Sequence, residues 1–229
     1  MTQQKFDSLL HHHILTTFIQ EGHAPTNEQL ARKVATSVEN VESGLLRLQA
    51  SHAVVLHPGR CELWVVHPFS LSPTHTWVQA SKGGWWAPCM GCALGIAALV
   101  KGKLTVHSRI GGEAEPVKVD VVDGVPMQTE LFVHWPEPPR MNWDNIHHFC
   151  ARLLPFRSPE DVAEWGRRHQ LPVGKILPIT QLAEFSRRWY SNHADAEWEK
   201  WTLTQATEIF SSTGLTGDFW KLDTTGERF

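Results

Sequence analysis

Tyrosine is almost missing from this chain: 229 residues carry one, against eleven tryptophans and fourteen histidines. Indole in that quantity implies large apolar surfaces, either in a core or along a pocket wall. Cysteine is scarce too. Four in a chain of this length are too few for a disulfide scaffold, so a reduced, cytoplasmic protein is expected. Basic residues are in no excess. The formal net charge is −3, which leaves no global field to attract nucleic acid. No run is long and apolar enough to span a membrane, and the opening Met1-Thr2-Gln3-Gln4-Lys5 has no signal-peptide apolar region. What remains is ordinary globular composition, long enough for one large domain or two small ones.

The most informative stretch present is Pro88-Cys89-Met90-Gly91-Cys92-Ala93-Leu94-Gly95. Trp85-Trp86 precedes it, and the small-residue run Ile96 to Val100 continues it as a helix. A thiol in a helix's first turn sits at the positive end of the macrodipole, which favours thiolate. Thiolate is both a nucleophile and a ligand for soft metals. The competing reading is two buried cysteines packed as small hydrophobes.

Around this stretch the pattern predicts an α+β chain. Residues 5–20 read as a helix, a second helix follows Thr26, and a third opens after Ser37. Val54 to Leu56, a turn at Pro58-Gly59 and Cys61 to Val66 read as a hairpin. Three helices and a hairpin in that order suggest a winged helix. Its acids outnumber its bases, which favours a structural or docking role over DNA binding. Within the first helix, His11-His12-His13 point in three directions and cannot share one metal. Residues 67–84, rich in Pro, Ser, Thr and Gly, read as a connection. Strands are expected near 103–110, 117–122, 130–135, 148–154 and 175–179. Ser158-Pro159-Glu160-Asp161 is a strong helix start, and Thr180 is expected to cap another helix. The division expected is 1–80 for the winged-helix segment, 81–193 for a mixed-sheet core and 194–229 for a helical extension.

With these residues in view, the chain resembles the alkylmercury lyase family over roughly residues 5–190. Cys92-Ala93-Leu94-Gly95 corresponds to the family's Cys-Ala-Leu-Asp, whose cysteine opens a helix. Phe149-Cys150 corresponds to its second catalytic cysteine, followed here by the Ser158 helix start, Trp165 and His169. His107-Ser108, ahead of Gly111-Gly112, stands where the family has His-Cys, a cysteine regarded there as structural. The resemblance implies a winged-helix segment joined to a mixed α+β core that cleaves carbon–mercury bonds. It also implies an acid three places after the first cysteine, where this chain has Gly95.

That chemistry needs thiolates to take the metal and a proton for the departing carbon. The resemblance makes Cys92 and Cys150 the catalytic thiols; Cys89, three residues before Cys92, is an addition to the family pattern and is expected as a third metal ligand. In place of the acid, the proton could come from the Cys89 or Cys92 thiol, from a water, or from His147 or His148. On a strand, His148 would share a face with Cys150, so it is preferred as the third catalytic residue. Cys61 is expected to be structural. No organic cofactor is implied; the metal is mercury as substrate and product, with Cu or Zn as other soft-site candidates. The implied partners are a small organometallic or thiol-reactive substrate and a cellular thiol or mercuric reductase that accepts the metal. Two alternatives use the same cysteines: a soft-metal binding protein or sensor without turnover, and an enzyme acting on another carbon–heteroatom bond.

Overall fold

The computed structural model describes residues 2–141 and 146–222, without the side chains of residues 146 and 147. Local signals set most element boundaries. α1 (Gln3–Glu21) starts at the Thr2 cap and stops at Gly22, whose φ of 76° suits glycine. α2 (Asn27–Lys33) begins with a reciprocal capping box between Thr26 and Gln29. α3 (Val38–Ala50) is capped by Ser37, which accepts from the Asn40 amide. An antiparallel pair, β1 (Val54–Leu56) and β2 (Leu63–Val66), follows in the expected order.

The β1–β2 pair is one edge of a larger sheet. β3 (Phe69–Ser70), β4 (Trp77–Gln79), β5 (Gly84–Trp86), β6 (Lys103–Arg109), β7 (Pro116–Val122) and β8 (Val125–Pro126) complete it, in the order β1-β2-β3-β5-β4-β6-β7-β8. Residues 67–84 are therefore no connection: they supply β3, β4 and the start of β5. The reason is burial. Phe69 and Val78 are fully buried, and the Trp77 and Trp86 rings meet edge-on at 4.6 Å. Aromatic cross-strand pairs of this kind stabilise even very short strands.

α4 (Met90–Val100) is apolar all round and lies between this sheet and α7 (Ile179–Trp189). Small residues let the two helices approach: Gly91 lies under Leu182, and Gly95 lies under Tyr190. A second sheet, β10 (Pro155–Phe156)–β9 (Phe132–Trp135)–β11 (Lys175–Pro178), carries α5 (Ile146–Cys150) just before β10. α6 (Pro159–His169) starts at the Ser158 cap with Pro159 in its first turn, as its sequence demands. α8 (Leu203–Ser212) packs on α7.

The fold is α+β, as expected, and every pairing among the described residues is antiparallel, where a mixed sheet was anticipated. Two local expectations fail. Residues 148–154 form the end of α5 and a turn rather than a strand, with only Pro155-Phe156 extended. Thr180 lies inside α7; the cap position belongs to Pro178, which offers no side-chain cap. No described helix is long and apolar enough to cross a membrane.

Candidate soft-metal site

The site forms where α4 begins. Cys89 is the N-cap of that helix, extended at φ −158°, and its Sγ accepts the Cys92 amide at 3.3 Å. Sulfur here does what a serine or aspartate oxygen usually does. One turn on, the Cys92 side chain faces the same cavity. α5 brings in Cys150 from 58 residues away, its Sγ 4.0 Å from that of Cys92. The β2–β3 turn supplies His67, with Nδ1 at 3.8 Å from Cys92 Sγ. The C-terminal end of α7 supplies Tyr190, whose Oη is 3.5 Å from the same sulfur. One ligand atom from each of His67, Cys92 and Cys150 lies within 4.8 Å of the others. All three cysteines are buried and free of disulfides.

These groups share a cavity of about 90 Å³. Its other walls are largely aromatic, with Trp135, Phe149, Phe185 and Trp198 among them. His193 and Lys200 also face it. Behind that wall, His11 stacks on Trp198 with ring centroids 3.7 Å apart.

Burial opposes charge on all three thiols, yet their states diverge. At Cys89 the burial effect is outweighed: hydrogen bonds from Cys150 and Cys92, the Cys92 amide and nearby His67 hold its thiol well below the ordinary range. Cys92 is pushed well up, by burial first and then by its bond to Cys89 and the charge there. Cys150 is pushed well up by the hydrogen bonds it gives to Cys89 and Cys92 and by burial. These directions favour negative charge at Cys89 over its two neighbours, at the helix N-terminus where the dipole supports it. Burial lowers His193 well below the ordinary histidine value, and His11 to about 3. Burial also brings Lys200 down to about 7. Burial thus favours the neutral form of His11 and His193.

The structure brings together Cys89, Cys92 and Cys150 from the sequence reading. It does not bring His148. That residue lies exposed on α5, and because Cys150 is helical too, the two side chains point about 160° apart around the helix. His147 falls among the residues whose side chains are outside the description. Cys61 stands apart, bonded to the Glu42 carbonyl at 3.4 Å. His67 and Tyr190 were missed by the sequence reading. The signals for them were indirect: a histidine beside Pro68 between two strands, and the chain's one tyrosine.

Two buried thiols and an imidazole with ligand atoms within 4.8 Å of one another form a set of donors that could hold a soft metal, and the Cys89 thiol lines the same cavity. The chain belongs to the alkylmercury lyase family, whose model matches residues 69–191, just over half of the sequence. Among solved structures it is similar to the mercury-bound form of MerB2, at 21% identity and a TM-score of 0.62. That match covers 86% of this chain and 98% of the other. The likeness is one of fold. No curated protein matches the chain.

Proposed function

We propose that this chain cleaves the carbon–mercury bond of small organomercurials, with Cys92 and Cys150 as the thiols that end up holding the metal. The observation carrying this reading is the 4.0 Å approach of the Cys92 and Cys150 sulfurs at one buried cavity, beside a third thiol, in a member of this family. An organomercurial arrives on a small thiol. A protein thiolate displaces that carrier, which leaves with a proton. A second protein thiol then binds mercury, and one proton ends on carbon. The balance is RHg–SR′ plus two protein thiols giving R–H, R′SH and mercury held by two sulfurs, with no change of oxidation state. Cys89 Sγ accepts the Cys92 amide at 3.3 Å and is the thiol held toward the thiolate, so a proton shift to it would free a neighbouring thiol as the nucleophile. The aromatic walls suit an apolar R group. A cellular thiol or mercuric reductase would then take the metal away.

The test is phenylmercury with excess small thiol. Benzene release, followed by gas chromatography, should be catalytic in the wild type and lost in Cys92→Ser and Cys150→Ser. A second reading is favoured by one observation: among the described residues no carboxylate lines the cavity, and position 95 is glycine. In that reading the same thiols, with His67, hold Hg, Cu or Zn without turnover. Stoichiometric metal uptake with no hydrocarbon release would decide for it.

A further inference from the structure

We propose that Tyr190 is the proton donor to the departing carbon. The proposal rests on the lyase reading above and names the group that completes it. The Tyr190 side chain is buried, lines the cavity, and places its Oη 3.5 Å from Cys92 Sγ. The ring is held in place from two sides. On one, a β-carbon at position 95 would lie 2.2 Å from Tyr190 Cδ2, so the ring fills the space that any side chain there would need. On the other, the His193 ring meets it edge-on at 4.8 Å. A metal on Cys92 therefore has a rigid O–H donor beside it, within the walls that would enclose its R group.

The step balances without a further reagent. The carbon–mercury bond breaks, and its electron pair takes the phenol proton to form C–H. As the Cys92 sulfur bonds to mercury, its proton passes to the phenolate across the 3.5 Å contact. Tyrosine ends neutral, so the thiol is the net source and the phenol the carrier. No carboxylate is required.

The chain's single tyrosine makes the test unusually clean. Tyr190→Phe keeps the ring and its packing on Gly95, and removes only the hydroxyl. In single-turnover reactions with phenylmercury, benzene formation should slow by about 10²-fold or more, the usual scale of general-acid catalysis. Mercury uptake, read as loss of titratable thiols, should stay within about 3-fold of wild type, because the thiols remain. Growth on 3-fluorotyrosine then alters this one phenol and no other residue. A rate of benzene formation that changes with phenol acidity at constant pH, with uptake unchanged, supports proton transfer; a structural role would leave it unmoved. Wild-type rates in Tyr190→Phe and in the fluorinated protein overturn the proposal while leaving the lyase reading intact. No benzene from the wild type overturns both.

Discussion

Gly95→Ala offers the sharpest physical test of how the site is built. The added methyl would sit 2.2 Å from Tyr190 Cδ2, 2.5 Å from Cε2 and 3.0 Å from Cγ. Ordinary carbon contacts lie near 3.5–4.0 Å, so the ring must retreat by more than about 1 Å. Its freedom to move is limited by the His193 ring, which meets it edge-on at 4.8 Å. Overpacking at this level costs about 3 kcal/mol. Alanine in a helix interior returns about 1 kcal/mol over glycine. The clash wins, and the net expectation is a loss of about 2 kcal/mol. In a Tyr190→Ala background the ring is gone and only the helix term survives, so the same substitution should stabilise by about 1 kcal/mol. The coupling between the two positions is then about 3 kcal/mol, measurable by urea denaturation of the four proteins, reduced and metal-free. If Gly95→Ala has the same effect in both backgrounds, the ring does not occupy the space above position 95.

Two further outcomes follow from other parts of the site. Burial holds His11 near 3 against an ordinary 6.5, so at mildly acidic pH the unfolded chain binds a proton that the folded chain refuses. Stability should therefore fall as pH drops from 6.5 toward 3, this residue alone contributing up to about 1.4 kcal/mol per pH unit. His11→Leu should flatten that slope in denaturation curves taken between about pH 6 and 4; an unchanged slope refutes the assignment. At Cys89, serine can replace sulfur as a helix cap but not as a soft ligand. Cys89→Ser should leave stability within about 0.5 kcal/mol while weakening mercury retention against competing thiols, whereas Cys89→Ala should lose about 1 kcal/mol as well. Equal retention in wild type and both variants would remove Cys89 from the metal chemistry.

The parts of this fold that could be read from sequence are those written locally. The Thr26–Gln29 capping box and the Ser158-Pro159 start announce their helices within four residues, and the structure has them there. Strands of two or three residues, such as β3 and β4, carry too little alternation to be seen; their existence depends on partners elsewhere in the sheet. The segment through Cys150 misled because a five-residue helix offers barely more than one turn of pattern. Cys92 and Cys150 were legible through the family motifs, and Cys89 through its spacing of three from Cys92. His67 and Tyr190 reach Cys92 across 25 and 98 residues of sequence, and no local rule links them. Their roles exist only once the turn before β3 and the end of α7 have closed on the start of α4.

The cavity wall has a consequence for how the protein is made. Lys200 donates to the Ser51 carbonyl, His12 meets the Ala194 carbonyl at 2.8 Å, and Trp198 stacks on His11. Residues near 190–200 thus close the site by docking onto the first helices of the chain. Synthesis runs in the other direction, at about 5–20 residues per second. Cys89 and Cys92 are translated roughly a hundred residues before the segment that buries them, and Cys150 roughly fifty before it. For several seconds a nascent chain presents soft thiols with no wall around them. In a cell laden with mercury, each ribosome making this protein would carry an open trap for the metal before the finished cavity could select what enters.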